Sequence, residues 1–121
     1  MAIDHITLDV SDYQRSKQFY EQALKPLGYE LVMEFGEAGG FGEGGMPDFW
    51  VSQRGEPTTA HIALKAPDRI TVDRFYESAM EAGATDNGSP GLRPHYHENY
   101  YGAYVIDPDG NNIEAVCHVP E

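Results

Sequence analysis

Apolar and polar positions alternate along Ile6-Thr-Leu-Asp-Val10 and again along Ile62-Ala-Leu-Lys-Ala66. A period of two marks a strand with one buried face, so Ile6, Leu8 and Val10 point one way while His5, Thr7 and Asp9 point the other. In the second stretch Ile62, Leu64 and Ala66 form the apolar face, with His61, Ala63 and Lys65 opposite. After each strand the period lengthens to that of a helix. Ser16, Phe19, Tyr20, Ala23, Leu24 and Leu27 recur at helical spacing behind a capping box of Ser11 and Gln14. Val72, Phe75, Tyr76, Ala79 and Met80 repeat the pattern, and Gly83 is its natural stop. Each helix packs on the apolar face of its strand, which leaves His5 and His61 on faces turned away from the helices.

The two stretches are one unit written twice. His5-Ile-Thr-Leu-Asp-Val-Ser-Asp12 aligns with His61-Ile-Ala-Leu-Lys-Ala-Pro-Asp68, and Phe19-Tyr-Glu-Gln-Ala23 with Phe75-Tyr-Glu-Ser-Ala79, at a constant offset of 56. Eight of the twenty pairs from 5/61 to 24/80 are identical, so the chain reads as two similar modules, about 1–55 and 56–121, within a single domain. The hydrophilic run Gln53-Arg-Gly-Glu-Pro-Thr58 is the expected joint. Further strands are predicted at Tyr29–Phe35 and Phe49–Ser52, then at Tyr100–Ile106 and Asn112–Cys117, the last two joined by the turn Asp107-Pro-Asp-Gly-Asn111. The fold class is therefore α+β: strand, helix and a meander of strands, twice. Gly36–Gly45, with six glycines in ten residues, lacks the Gly-Lys-Ser/Thr ending of a phosphate loop and reads as a mobile loop over a cavity mouth.

Composition narrows the partners. The 121 residues are 40% apolar and 23% charged, which suits one folded domain, and no apolar run approaches the ~18 residues needed to span a bilayer. Eight basic residues against 20 acidic ones give a net charge of −12, a field that repels phosphate backbones, so neither nucleic acid nor an anionic membrane is an expected partner. The lone Cys117 can form no internal disulfide, which points to a reducing, cytoplasmic compartment, and it falls on an apolar strand face as inert core.

The candidate chemistry lies on the face the helices leave open. Along the last strand Asn112, Glu114, Val116 and His118 share one side and Ile113, Ala115 and Cys117 the other, so Glu114 joins the face of the two histidines. Two imidazoles and a carboxylate with positions left for substrate or water suit divalent Fe, Zn, Mn, Co or Ni. Trp50, Arg93, Tyr96, His97 and Tyr101 are candidates for the wall of a substrate pocket: an indole surface, a guanidinium for a carboxylate, and phenols or an imidazole for proton transfer. No residue is singled out as the general acid or base.

The paired modules, His5 and His61, the aromatic segments Phe19-Tyr20 and Phe75-Tyr76, and Asp107-Pro-Asp-Gly-Asn-Asn-Ile-Glu114 together resemble the vicinal oxygen chelate superfamily, also called the glyoxalase/bleomycin-resistance/dioxygenase superfamily. The resemblance spans nearly the whole chain. It implies two tandem βαβββ modules whose sheets curl around a cavity, with His5, His61 and Glu114 as metal ligands. It also implies a homodimer in which His5 of one subunit joins His61 and Glu114 of the other. Glyoxalase I enzymes have four protein ligands, and aligning Phe49-Trp-Val-Ser with Ile113-Glu-Ala-Val puts Trp50 at the fourth, where an indole cannot ligate. The resemblance thus implies a metal-dependent enzyme acting on a small oxygen-rich substrate, with isomerase or lyase, dioxygenase and group-transferase chemistry all open. The alternative is a metal-free, dimeric small-molecule-binding protein of the drug-sequestering kind, for which the acidic balance suits a cationic ligand.

Overall fold

A computed structural model describes residues 3–57 and 59–121. Module one runs β1 (Ile6–Asp9), α1 (Tyr13–Ala23), a 3-10 turn (Lys25–Leu27), β2 (Glu30–Phe35), β3 (Ala38–Glu43) and β4 (Met46–Ser52). Module two runs β5 (His61–Lys65), α2 (Arg69–Glu81), β6 (Thr85–Leu92), β7 (Tyr101–Ile106) and β8 (Asn112–Cys117). The strands form two four-stranded sheets, ordered β1-β4-β3-β2 and β5-β8-β7-β6, and neither closes into a barrel. In each sheet the first strand pairs in parallel with the last and the remaining pairs are antiparallel. No helix among the described residues is long and apolar enough to cross a membrane.

The repeat survives at the level of register. Ile6 lies opposite Phe49 and Thr7 opposite Trp50 in sheet one. Ile62 lies opposite Ile113 and Ala63 opposite Glu114 in sheet two. Trp50 is therefore the positional counterpart of Glu114. The inner faces carry Leu8, Phe41, Phe49 and Val51 in sheet one and Val105, Ile113, Ala115 and Cys117 in sheet two, all buried beneath Phe19, Tyr20, Val72, Phe75 and Ala79 of the helices. Together they make one contiguous core, in which each fully buried large apolar side chain is worth roughly 1.5–3 kcal/mol of transfer free energy.

The helix caps differ from the expected Ser11–Gln14 box. Asp12 caps α1 by accepting from the Arg15 N–H, and Asp68 caps α2 by accepting from the Thr71 N–H. These are the same aspartate in the two repeats, and its side chain reaches the third helical amide directly. Ser11 is instead drawn to Asp109, to which it donates from both its amide (3.2 Å) and its hydroxyl (2.5 Å). This is one of the contacts that tie the modules together. Asp107, 4% exposed, accepts from the Tyr20 hydroxyl of α1, from the amides of Asp109 and Asn111 at 2.9 and 2.8 Å, and from Asn111 Nδ2 at 2.9 Å. Asn111 in turn accepts from the Ala60 N–H at 2.8 Å. The turn thus bonds to both the helix of module one and the entry to β5. Of the expected joint, residues 53–57 form neither helix nor strand, and Thr58 lies outside the described residues.

Gly36–Gly45 is not a loop: it contains β3, the inner strand between β2 and β4. Its glycines are there because neighbouring groups lie flat across the strand. A Cβ on Gly39 would meet the Tyr13 phenol, one on Gly40 would sit 2.7 Å from the Trp50 ring, and one on Gly42 would strike the Met46 backbone. Gly44 and Gly45, with φ of 58° and 78°, make the two-residue hairpin turn into β4. β6 was likewise not expected, because Thr85-Asp-Asn-Gly-Ser-Pro-Gly-Leu92 reads as turn chemistry. As an edge strand with register shifts it accommodates Pro90 and its glycines.

Candidate functional site

The parallel pairing of β5 with β8 sets His61 and Glu114 on the open face of sheet two, two residues apart in register. Their side chains meet, with His61 Nε2 2.9 Å from Glu114 Oε1. Glu114 is only 1% exposed, whereas the His61 ring is about half exposed. A carboxylate only accepts, so the imidazole proton sits on Nε2 in the neutral ring and Nδ1 is left as the acceptor. The other carboxylate oxygen accepts from the Tyr100 hydroxyl. Gly102 makes room for this contact, since a Cβ there would lie 3.2 Å from Tyr100 Cε1 and 3.3 Å from Glu114 Oε2. Burial first, then the bond to Glu114, pushes the Tyr100 phenol well above its ordinary range. Tyr104 is raised chiefly by burial.

A cavity of about 450 Å³ opens over this cluster, lined by His61, Tyr96, His97, Tyr100, Tyr104 and Glu114. His97 and His118 buttress its wall. The Asn99 N–H donates to His97 Nδ1 at 3.1 Å, which places the His97 proton on Nε2, and that atom lies 2.7 Å from His118 Nδ1. Both rings meet Tyr100 edge-on, with centroids at 5.5 and 5.3 Å.

The other expected site residues are distributed as follows. His5 is exposed, bonds to Asp4 at 2.7 Å, and borders a separate crevice of about 290 Å³ shared with Asp48, Phe49, His61 and Ile62. Among the described residues no three His, Cys, Asp or Glu side chains come together so as to hold an ion. One chain thus presents an adjacent nitrogen and oxygen donor, His61 and Glu114, which fits part of a divalent-metal site. Tyr96 and His97 line the cavity. Arg93 is not among the residues lining this cavity: its guanidinium donates to the carbonyls of Gly91 and Ser89 at 2.8 and 2.9 Å and lies over the Tyr104 ring at 5.3 Å. Tyr101 is on the opposite face, where it donates to Asp73 of α2 at 2.6 Å and is pushed up to about 12 by burial and that carboxylate. Trp50 lies on the open face of sheet one, over Gly40 and stacked on Phe35 at 6.3 Å and 11°.

Of the adjacent phenols Tyr100 and Tyr101 it is Tyr100 that lines the cavity, together with Tyr104, which the sequence pattern does not single out. The signal was available for Tyr104: once β7 and β8 are paired it sits directly opposite Glu114 and must share its face. Tyr101, three residues away from Tyr104, falls on the other face by the same alternation.

The comparisons agree with this architecture. A glyoxalase/bleomycin resistance protein from Albidiferax ferrireducens superposes with a TM-score of 0.84 at 26% identity, over 94% of this chain and 97% of that one. A glyoxalase-related enzyme from Fulvimarina pelagi gives 0.75 at 19%, over 97% and 88%. A glyoxalase/bleomycin resistance protein/dioxygenase family enzyme from Burkholderia phytofirmans gives 0.75 at 16%, over 98% and 100%. The last two likenesses concern the fold alone. No curated protein matches the chain. Residues 2–115 match the family description, and the chain belongs to the Glyoxalase/Bleomycin resistance protein/Dioxygenase superfamily.

Proposed function

We propose that the chain is a metalloenzyme of the vicinal oxygen chelate type, whose divalent ion is held by His61 and Glu114 of one copy and His5 of a second. The observation that carries this reading is the contact of a buried carboxylate with a half-exposed imidazole at 2.9 Å on the wall of an open cavity. His5 is exposed and immediately precedes β1, an edge strand, and so is within reach of another molecule. When bound, such an ion supplies Lewis acidity toward two neighbouring oxygens of a small substrate. The chain's own contributions are distinct. Tyr100 holds the far oxygen of Glu114, the His97–His118 pair holds the Tyr100 ring, and the tyrosines displace water from around the bound ligand. Isomerase or lyase, dioxygenase and group-transferase reactions are all compatible with this arrangement.

Subunit mixing tests the shared site. His5→Ala and His61→Ala homodimers each lack a ligand in every site. In a mixed dimer one of the two sites is whole, so random re-pairing at equal amounts restores about a quarter of the stoichiometric metal, because half the dimers are mixed and each regains one site of two. Elemental analysis of the purified mixture reads this directly, and a site contained within one chain would recover nothing.

A second reading, a metal-free small-molecule-binding protein, is favoured by two observations: both Glu114 oxygens already have donors within one chain, and Trp50 stands where module one would supply a carboxylate. Thermal stability separates the two. A resident ion that binds only the folded form raises the melting temperature, and a chelator removes that increment.

A further inference from the structure

Between β6 and β7 the chain makes a separate excursion, Arg93–Tyr100, that forms neither helix nor strand. Its ends are tied together by the Arg93 N–H, which donates to the Tyr100 carbonyl at 2.7 Å. Inside it the Tyr96 N–H donates to the Arg93 carbonyl at 3.0 Å and the Tyr100 N–H to the His97 carbonyl at 3.2 Å. Tyr96 and His97 form one wall of the His61–Glu114 cavity, although His95, Tyr96, His97 and Glu98 are all exposed. An exposed segment held only by local turns opens easily unless something fastens it. Among the described residues a single hydrogen bond runs from residues 94–99 to anything outside Arg93–Tyr100: His97 Nε2 to His118 Nδ1, at 2.7 Å.

That bond requires a proton on His97 Nε2 and a lone pair on His118 Nδ1. The Asn99 N–H, donating to His97 Nδ1 at 3.1 Å, sets the first condition. Protonation undoes the arrangement. A proton added to His118 takes the Nδ1 lone pair, and one added to His97 takes Nδ1 from the Asn99 N–H. With both added, two N–H donors and two positive charges face each other across the same gap. Imidazoles change charge between about pH 5 and 8, so the fastening is made in the upper part of that range and lost in the lower. The neighbouring groups do not rescue it. His95, Tyr96 and Glu98 flank the pair on the segment itself, and no carboxylate bonds to either ring among the described residues. Tyr100 and Tyr104, both raised by burial, stay neutral throughout. Glu114 and His61 are bonded to each other, and Lys65, opposite Val116, shares their open face and adds a further positive charge. We propose that residues 94–99 are a pH-operated lid on the cavity, fastened by the His97–His118 bond and released when the pair is protonated. The lid goes beyond the metal reading and does not depend on it. Both rings meet Tyr100 edge-on, so opening bares the phenol that holds Glu114, and the cavity exchanges its contents in acid and retains them at neutral pH.

Hydrogen exchange of residues 93–100 reads the lid, followed from milliseconds by quenched flow with mass spectrometry and corrected for the intrinsic rate at each pH. Protection should fall roughly 3- to 10-fold between about pH 8 and about pH 5, the scale set by loss of one hydrogen bond, while β7 stays protected. His118→Phe keeps a ring without nitrogens and should show low protection at both pH values. His95→Phe alters an imidazole outside the pair and should retain the fall. Ring ¹⁵N shifts should show His97 protonated at Nε2 and His118 unprotonated at Nδ1 at the higher pH. Equal protection at the two pH values, or a His118→Phe variant that behaves as the wild type, would overturn the proposal. So would a fall that vanishes in His61→Ala, because the response would then belong to the His61–Glu114 pair. Metal content is read separately by elemental analysis: a responsive lid on a protein that takes up no ion sinks the metal reading alone, and a stoichiometric ion beneath an unresponsive lid does the reverse.

Discussion

Tyr20 and Tyr76 occupy the same position in the two repeats, and their different surroundings allow a controlled measurement. Tyr20 is fully buried and donates to Asp107, itself 4% exposed, across the junction between α1 and the β7–β8 turn. Tyr76 donates to Asp86 at 2.8 Å, a carboxylate in solvent on the edge strand β6. Tyr20→Phe removes one hydroxyl from a packed site and leaves Asp107 Oδ2 with Asn111 Nδ2 as its remaining donor. Loss of a buried hydrogen bond to a charged acceptor costs about 1.5–3 kcal/mol. For a domain of this size that corresponds to a fall in melting temperature of roughly 5–15 °C. Tyr76→Phe, whose carboxylate can turn to water, should cost less than about 1 kcal/mol. Thermal and urea unfolding of both variants, followed by circular dichroism, provide the test. Equal losses in the two variants, or a neutral Tyr20→Phe, would refute the argument that the buried turn joins the modules energetically.

The remaining predictions concern pH, helix caps and the cavity floor. Burial and neighbouring carboxylates raise the Tyr20, Tyr29 and Tyr100 phenols above their unfolded value near 10. The stability they contribute should therefore be complete below about pH 10 and lost as pH rises toward the folded values, seen as alkaline unfolding in a pH-resolved melt. Glu34 and Asp86 have the opposite sign: hydrogen bonds hold both below the ordinary carboxylate range, so their contribution is present above about pH 4 and fades as pH falls through the folded values. Asp12→Ala and Asp68→Ala should each cost about 1 kcal/mol in denaturant titrations as the caps of α1 and α2 are lost, while Ser11→Ala should leave the α1 cap intact. Gly102→Ala should displace the Tyr100 ring and the Glu114 carboxylate by a few tenths of an ångström, weakening metal uptake by elemental analysis with the fold retained in the far-ultraviolet spectrum.

Much of the architecture was legible because it is written twice. The 56-residue offset identifies both first strands and both helices, and alternation assigns Glu114 to the face of His61, where the structure places it against that ring. The alignment of Trp50 with Glu114 is likewise visible in the register. What eluded the pattern was β3, since glycine has no side chain with which to alternate. The physical reason for its glycines, the rings of Tyr13 and Trp50 lying across the strand, is a property of the partner strand and helix. The cavity tyrosines were confused for a related reason. Tyr100 and Tyr101 are adjacent, so one must face the cavity and the other α2. Only the pairing of Tyr101 with Cys117 decides which.

With eight basic side chains for 20 acidic ones, most carboxylates have no lysine or arginine to meet. Phenols take that place: Tyr13 donates to Glu34, Tyr20 to Asp107, Tyr29 to Asp48, Tyr76 to Asp86, Tyr100 to Glu114 and Tyr101 to Asp73. A phenol satisfies a carboxylate lone pair without bringing a countercharge, which is the difference between a hydrogen bond and an ion pair. At the surface the distinction is of little consequence, because water screens the charge. At Glu114 it matters, since the group is buried and among the described residues no lysine or arginine is paired with it. A salt bridge there would have closed the site by cancelling its charge. Tyr100 and a half-exposed His61 instead hold the carboxylate by hydrogen bonds at the cavity wall, an arrangement compatible with the cation site proposed above.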